Sequence, residues 1–262
     1  MSNQFAVITG ASSGIGLELA RQFADHGFDL LVCAEDDAIH ETAARIGADA
    51  KVDTVQTDLR TRDGVETLYR AIRDRGRDVD ALALNAGVGQ GGAFVDSDLD
   101  DLLSIVALNV TSTVHLARLV LADMVARGSG RALISSSIAS LMPGSYQAVY
   151  NASKSFLQSF AQALQSELRD TDVTVTALMP GPTETNFFAR ADMADNTRVG
   201  RSSKDDPARV AAQGFAAMMA GKRRVVGGGL STRVQYVAGV LLPDRAKAAM
   251  HAVMAKPVKH TG

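Results

Sequence analysis

Three side chains in the middle of the sequence have the types and spacing of a proton-transfer group. Tyr150 and Lys154 are four positions apart in a predicted helix, so both side chains project from one face and the ammonium can act on the phenol. Ser137 lies thirteen positions before Tyr150. A free tyrosine titrates near pH ~10, but a fixed cation beside it favours the phenolate and brings its pKa closer to neutrality. The spacing therefore indicates acid/base chemistry, while the alternative interpretation is an ordinary Tyr/Lys pair on a solvated helix.

A glycine-rich turn near the N-terminus has the form of a phosphate-binding loop. A short apolar strand, Phe5 to Thr9, is followed by Gly10, Gly14 and Gly16 and then by a helical pattern of apolar residues. Backbone N–H groups at the start of a helix favour negative charge, and glycine lets the backbone approach a pyrophosphate closely. The spacing GxxxGxG departs from the dinucleotide motif GxGxxG, so a turn that serves only tight packing is the alternative.

Acidic residues follow the second predicted strand, Asp29 to Cys33. The chain continues there with Glu35, Asp36 and Asp37, about twenty residues after the glycine turn. An acid at this point of a dinucleotide site accepts hydrogen bonds from the adenosine ribose, whereas an arginine accommodates a 2′-phosphate. Because three acids and no base stand here, the sequence favours NAD over NADP, with Glu35 as the nearest candidate. The alternative is a solvated turn.

Strands and helices alternate along the rest of the chain. Strands are predicted at 52–56, 81–84, 131–135 and 173–178, with helical patterns between them, the longest at 99–127 and from about 150 to 168. This alternation predicts an α/β fold: a doubly wound, Rossmann-like parallel sheet of about seven strands with helices on both faces, in a single domain over residues 1–262. Ligands of such sheets bind beyond the carboxyl ends of the strands, so we expect Asp58 and Asn85-Ala86-Gly87 to touch a cofactor.

The last third of the chain contains one long irregular segment and an extension. Residues 186–206 lose periodicity and carry charged and small polar groups. A loop this long in a compact domain is usually functional or disordered, and we interpret it as a mobile substrate lid, with a floppy surface loop as the alternative. The C-terminal extension, 230–262, is predicted to be helical and packed, with a frayed end from Lys256.

Composition and charge exclude several classes of protein. With 262 residues, 46% of them hydrophobic, and a net charge of −2, the chain suits a globular domain and offers no electrostatic footprint for nucleic acid or an anionic membrane. The single Cys33 cannot form an internal disulfide, and the five histidines are scattered without ligand spacing. No basic leader precedes the first strand, and we expect no apolar stretch of the ~18 residues that span a membrane. These features predict a soluble cytoplasmic protein with no metal site.

The motifs, taken in chain order, resemble the short-chain dehydrogenase/reductase family. They are the turn Thr9 to Gly16, Asp58, Asn85-Ala86-Gly87, Asn109, Ser137, Tyr150 with Lys154, and Pro180-Gly181. The resemblance implies hydride transfer between a hydroxyl or carbonyl carbon and the nicotinamide of NAD(H) or NADP(H). It implies that Tyr150 exchanges the proton, that Lys154 binds the nicotinamide ribose and lowers the tyrosine pKa, and that Ser137 binds the substrate oxygen. Asn109 would interrupt its helix and anchor a chain of water molecules that carries the proton to solvent.

The cofactor contacts expected from the strand ends and from this resemblance form one set. They are Gly10, Ser12, Ser13, Gly14, Ile15, Gly16, Glu35, Asp58, Leu59, Asn85, Ala86, Gly87, Tyr150, Lys154, Pro180, Gly181, Thr183 and Thr185. Two features depart from the family pattern: Leu84 precedes Asn85 where an asparagine is common, and more than thirty residues follow Gly229. The long helices 99–127 and 150–169 predict a homodimer or homotetramer, in which the extension is expected to alter the usual subunit contacts.

Two other functions are compatible with such a fold. A nucleotide-binding regulator would keep the sheet without turnover, but it would not need a complete Asn109, Ser137, Tyr150 and Lys154 set. A related isomerase or dehydratase would recycle its bound nucleotide, but such relatives typically carry a larger C-terminal substrate domain than 262 residues allow. The leading interpretation is an oxidoreductase that interconverts a small-molecule secondary alcohol and a ketone.

Overall fold

The computed structural model describes residues 3–47 and 50–257, which form one seven-stranded parallel sheet flanked by helices. The strands are β1 (Gln4–Thr9), β2 (Phe28–Ala34), β3 (Val52–Gln56), β4 (Ala81–Leu84), β5 (Gly130–Ser135), β6 (Val173–Pro180) and β7 (Arg224–Gly227). Their order across the sheet is β3-β2-β1-β4-β5-β6-β7, and every neighbouring pair is parallel. The predicted doubly wound sheet is confirmed.

Helices connect the strands and continue after the last of them. They are α1 (Gly14–Asp25), α2 (Thr42–Ile46), α3 (Arg62–Arg73), α4 (Leu99–Ile105), α5 (Ser112–Arg127), α6 (Ala148–Glu167), α7 (Phe187–Arg190), α8 (Arg198–Arg201), α9 (Pro207–Met219), α10 (Leu230–Leu241) and α11 (Asp244–Ala255). Short 3-10 turns lie at Asp37–Glu41, Phe94–Asp96 and Ile138–Leu141. The first of these turns leads directly into α2.

Apolar side chains on both faces of the sheet form the core. Along β1, Phe5 and Val7 pack with residues of α3, α5 and α6, whereas Ala6 and Ile8 pack with residues of α1 and α9. Side chains alternate between the two faces of a strand, and a parallel sheet covered on both faces requires apolar residues at every position. Cys33 is buried in the first of these clusters, and burial raises the pKa of its thiol to about 12.

The order in which strands are added to the sheet reverses between β1 and β4. From β1 the chain builds outward through β2 to β3, and it then crosses to the other side of β1 to form β4. A crevice opens at the carboxyl edge of a parallel sheet where the strand order reverses in this way. The glycine turn after β1 and the segment after β4 meet at this crevice.

Residues Leu99–Arg127 form one long helical unit with an irregular centre. Between α4 and α5, Val106–Thr111 is a π-helical turn that contains Asn109. The expectation that no segment is long and apolar enough to span a membrane is wrong for this helix, because an 18-residue window within it has a mean hydropathy of 1.6. Half of that window is buried inside the fold, and Leu116, Val120 and Met124 belong to the core.

The segment 186–206 is more ordered than its sequence predicts. It contains α7 and α8, and the side chains of Phe188 and Met193 are buried in a small cluster that also includes Ala255 of α11. The predicted irregular loop is therefore wrong in its local structure, while its role as a substrate lid stays a prediction. The helical prediction for the extension is confirmed by α10 and α11, although α10 exposes several apolar side chains. The frayed end predicted from Lys256 lies, beyond Pro257, outside the described residues.

Candidate functional site

A cavity of about 420 Å³ runs along the carboxyl edge of the sheet and collects almost every residue of the predicted site. Its lining includes Ser137 and the following predicted cofactor residues: Gly10, Ser12, Ser13, Gly14, Ile15, Glu35, Asp58, Leu59, Asn85, Ala86, Gly87, Tyr150, Lys154, Pro180, Gly181, Thr183 and Thr185. Gly16 and Asn109 are not part of the lining. Gly16 packs against the carbonyl of Gly10, and Asn109 bonds Val88 in the segment after β4.

The glycines of the turn are required by backbone geometry. Gly10 and Gly14 have φ angles of 67° and 56°, a left-handed region that favours glycine. A Cβ atom on Gly16 would lie 2.0 Å from the carbonyl oxygen of Gly10, so no side chain fits there. The hydroxyl of Ser13, the residue before α1, does not cap this helix. The first turn of α1 therefore keeps N–H groups available for an anion in the cavity.

Asp36 lies in the cavity wall, where Ser12 and Arg190 hold its carboxylate. One carboxylate oxygen, Oδ2, accepts a hydrogen bond of 2.9 Å from Ser12 and lies 3.4 Å from a guanidinium nitrogen of Arg190. The other oxygen, Oδ1, is buried and has no hydrogen-bond partner among the described residues. Leaving a buried acceptor unpaired is costly, so this oxygen is suited to accept a bond from a bound ribose.

Two arginines from other parts of the chain reach the acids that follow β2. Glu35 is ion-paired with Arg60, which also bonds Asp58 at 3.1 Å. Arg190 reaches Asp36 from the segment after β6. Arg60 is 25 positions from Glu35 and Arg190 is 154 positions from Asp36, so both of these contacts arise from the fold. The adenosine end of the crevice therefore contains acids and bases together.

Asn85 joins the ends of three strands. Its backbone N–H donates to Thr9 Oγ1 at 3.0 Å, and its side-chain Nδ2 donates to the carbonyl oxygens of Thr9 and Gly10 at 3.3 and 3.4 Å. Its Oδ1 accepts from Ser135 Oγ at 3.0 Å. Although Asn85 lines the cavity, its side chain is occupied by these bonds, and it holds the floor of the site together.

Asn109 is a buried polar residue whose hydrogen bonds are made by protein groups. Its Oδ1 accepts from the Val88 N–H, and its Nδ2 donates to the Val88 carbonyl and to Ser153 Oγ, all at 2.9 Å. The π-helical turn directs this side chain toward the segment after β4 and toward α6. The predicted interruption of the helix at Asn109 is therefore found as a widened turn.

Ser137, Tyr150 and Lys154 converge at one end of the cavity. Ser137 lies where β5 gives way to a 3-10 turn, accepts a hydrogen bond from the Ala139 N–H at 3.0 Å, and donates to the Pro180 carbonyl at 3.4 Å. Lys154 Nζ lies 5.8 Å from the centre of the Tyr150 ring. The Ser136 hydroxyl donates instead to the Lys154 carbonyl oxygen at 2.9 Å, in agreement with the choice of Ser137.

The pKa values of this trio differ from the sequence expectation. Burial raises the pKa of Tyr150 to about 12, and the hydrogen bond with Ser137 opposes that shift without overcoming it. Burial also lowers the pKa of Lys154 to about 8, although its Nζ donates to the Ser135 carbonyl oxygen at 2.8 Å. The predicted lowering of the tyrosine pKa by the lysine is therefore not seen in the protein by itself, because burial of the phenol raises its pKa.

Thr183 and Thr185 follow β6 and make different contacts. Thr183 is buried, and its hydroxyl donates to the Gly181 carbonyl at 2.9 Å. The Thr185 methyl group faces the glycine turn, since a Cβ atom on Gly14 would lie 2.8 Å from it. Thr185 therefore brings the segment after β6 against the phosphate-binding turn.

Several lining residues were not identified from the sequence. The Phe187 ring lies 5.1 Å from the Tyr150 ring, centre to centre. Helix α11 of the extension contributes Met250, His251 and Met254 to the same end of the cavity. The i, i+4 spacing of the two methionines would have indicated an apolar helix face, but nothing local indicates what that face covers.

A family model described as short chain dehydrogenase matches residues 4–196. The chain belongs to the short-chain dehydrogenase/reductase family. A putative ketoacyl reductase of Streptomyces coelicolor is 34% identical over 191 residues, which cover 71% of this chain and 73% of that protein. Members of this family are oxidoreductases, and this chain shares their fold.

Two solved structures show related chains with nucleotides. A short-chain dehydrogenase/reductase from Burkholderia phymatum in complex with NAD is 25% identical with a TM-score of 0.83, and the match covers 100% of this chain and 98% of that one. An actinorhodin polyketide ketoreductase with NADPH is 29% identical with a TM-score of 0.75, and the match covers 87% and 97%. The neighbours of this short-chain dehydrogenase/reductase therefore include structures with either nucleotide.

The residues of the crevice fit a dinucleotide on their own chemistry. The uncapped start of α1 suits a pyrophosphate, the free oxygen of Asp36 suits a ribose hydroxyl, and the ammonium of Lys154 suits a second ribose beside Tyr150. These three features occur along one continuous cavity, as an extended dinucleotide requires.

Proposed function

We propose that this protein is an NAD(H)-dependent oxidoreductase that interconverts a secondary alcohol and a ketone, working as a soluble cytoplasmic homodimer or homotetramer. The observation that supports it is the position of Ser137, Tyr150 and Lys154 at one end of the cavity whose other end carries the glycine turn. The resemblance to a ketoacyl reductase agrees with reduction at a ketone. The acids Glu35 and Asp36 favour NAD, with Asp36 as the better oriented ribose acceptor.

The proton is exchanged by Tyr150. In the direction of reduction, its phenol donates the proton to the substrate oxygen, while the Ser137 hydroxyl binds the same oxygen and stabilises the charge that develops on it. In oxidation the phenolate removes the proton from the alcohol. The nicotinamide, when bound, supplies or accepts the hydride. Lys154 holds its ammonium beside the phenol and the nicotinamide ribose, and it favours the phenolate in that assembled site.

In the proposed function, the proton taken up by Tyr150 reaches it from solvent through Lys154 and water molecules near Asn109. A Cβ atom on Gly87 would lie 3.2 Å from Asn109 Oδ1 and 3.3 Å from Lys154 Nζ. A side chain on Gly87 would crowd both of these polar groups. This arrangement supports the proposal that Asn109 anchors water molecules which pass the proton between Lys154 and solvent.

Substitution of Tyr150 by phenylalanine tests the proposal. Removal of the general acid should lower the rate of NADH oxidation with a reactive ketone by about a hundredfold or more, because proton transfer typically contributes that much. Tyr69→Phe is the control, since this phenol lies away from the cavity and bonds Asp123. Net consumption of NADH distinguishes an oxidoreductase from an isomerase or dehydratase. Unchanged activity in Tyr150→Phe, or nucleotide binding with no turnover of any ketone in the wild type, would contradict the proposal.

A further inference from the structure

Helix α11 closes the cavity at the end where Tyr150 lies. The helix is joined to the loop before α6 by two hydrogen bonds with one residue. Ser145 Oγ donates to the Ala248 carbonyl at 3.3 Å, and the Ser145 carbonyl is bonded to His251 Nδ1 at 2.9 Å. Because Ser145 precedes the helix that carries Tyr150, the extension is fixed relative to the reacting group.

The position of the proton on His251 follows from its partner. A carbonyl oxygen only accepts, so Nδ1 must carry the hydrogen in this bond. Burial lowers the pKa of His251, against a smaller upward effect of the Ser145 bond. The ring is therefore neutral near neutral pH, and its Nε2 atom is an unprotonated acceptor.

The His251 ring forms part of the cavity wall. Only 8% of His251 is exposed, and the residue lines the cavity. Within residues 3–47 and 50–257, the hydrogen bond recorded for this ring is the one from Nδ1. Since Nδ1 is taken up by the Ser145 carbonyl, Nε2 is the ring atom left to accept a hydrogen bond from a ligand in the cavity.

The surroundings of this acceptor are apolar. Met142, Phe187, Met250 and Met254 line the same end of the cavity. A pocket of this kind takes its affinity from apolar contact, while its few polar groups set orientation and specificity. Tyr150 and Ser137 are occupied by the reacting oxygen in the proposed function. His251 is therefore in a position to select a second polar group on the substrate.

We propose that His251 is a specificity residue whose Nε2 accepts a hydrogen bond from an O–H or N–H group of the substrate, away from the reacting carbon. The substrate class is a largely apolar, bulky ketone or secondary alcohol that carries one neutral hydrogen-bond donor. This proposal rests on the proposed function, because it places the reacting carbonyl at Tyr150 and Ser137.

The experiment compares aryl ketones that carry a phenol at the end far from the carbonyl with their methyl ethers, over a series of chain lengths. Wild-type protein should prefer the best phenol over its ether by about fivefold to tenfold in KM and in Kd, the effect of one neutral hydrogen bond. In His251→Asn the amide still reaches Ser145 but not the pocket, so this preference should fall to about twofold or less. In His251→Gln the amide oxygen reaches the place of Nε2, and the preference should persist.

Val253→Ser is the matched control, because Val253 lies on the same helix, is 55% exposed and does not line the cavity. A preference that survives in His251→Asn, or that is lost equally in the Asn and Gln variants, would overturn the proposal. The proposal would also be overturned if the wild-type protein bound none of these ketones. Calorimetry measures Kd without turnover of the ketone. If the protein binds the phenol in preference to the ether but reduces neither ketone, only the proposed function is contradicted. If it reduces both ketones without a preference, only the role of His251 is contradicted.

Discussion

The Nζ atom of Lys154 lies 5.8 Å from the centre of the Tyr150 ring and donates a hydrogen bond of 2.8 Å to the Ser135 carbonyl. Both side chains are held in an environment that disfavours their charged forms, which raises one pKa and lowers the other. In the proposed function the bound nucleotide and substrate supply the missing polar partners. The folded protein therefore carries a desolvation cost at both side chains, and we expect ligand binding to reduce that cost.

Burial of Lys154 should be visible in the pH dependence of stability. Its pKa is about 8 in the folded protein against the ordinary value of 10.5, so the unfolded chain binds more protons between these values. The free energy of unfolding should therefore rise with pH in this window, by on the order of 3 kcal/mol in total. Above pH ~10 the raised pKa of Tyr150 acts in the opposite direction, because the unfolded chain then loses its proton first.

Urea unfolding from pH ~7 to ~10 measures this effect. Lys154→Met should remove most of the rise, since methionine fills a similar volume without titrating. Lys222→Met, at an exposed lysine, is the control and should keep the wild-type slope. The same rise in Lys154→Met would show that another group is responsible.

Replacement of Asn109 should cost stability as well as activity. Asn109→Ala removes three hydrogen bonds and leaves the N–H and C=O groups of Val88 without their partner. The expected loss is about 3 kcal/mol in the free energy of unfolding, measured by urea titration. Thr111→Ala, at an exposed position of the same π-helical turn, should change stability by less than about 0.5 kcal/mol. A loss of activity in Asn109→Ala at unchanged stability would contradict the packing role.

The pairing of Glu35 with Arg60 predicts how nucleotide preference can be changed. Glu35→Ala leaves Arg60 without its main acid beside the expected position of the adenosine ribose. Affinity for NADPH relative to NADH should rise by about tenfold or more, because an arginine bonds a phosphate with charge-assisted hydrogen bonds. Fluorescence titration with both nucleotides measures the ratio. Asp37→Asn, an exposed acid bonded to Gln56, should leave it unchanged, and equal ratios in both variants would contradict the prediction.

The exposed apolar residues on α4 and α6 predict a subunit contact. Leu103 and Phe156 are 54% and 41% exposed, on helices that pack against each other. Burial of these side chains between two copies would favour association. Light scattering should therefore give the mass of a dimer or tetramer, and Leu103→Ser combined with Phe156→Ser should shift it toward the monomer. Val253→Ser is the control, and a monomeric wild type would show the interface to be wrong.

The sequence by itself determined the architecture and predicted most of the residues that line the cavity at the sheet edge. Strand alternation, the glycines of the turn and the spacing of Tyr150 and Lys154 are local patterns, and each is tied to backbone geometry within a few residues. The glycine at position 16 is an example: a Cβ atom there would collide with Gly10 only six positions away. Such short-range constraints are readable without any knowledge of the fold.

Only the tertiary structure decided the electrostatics and the far wall of the pocket. Arg60 reaches Glu35 because β2 and β3 end side by side, and His251 reaches the pocket because α11 folds back onto the loop that precedes Tyr150. The pKa values of Tyr150 and Lys154 depend on how much water the surrounding chain removes, which residue spacing does not encode. Contacts between distant segments follow from packing of the complete chain, and for that reason local sequence patterns do not predict them.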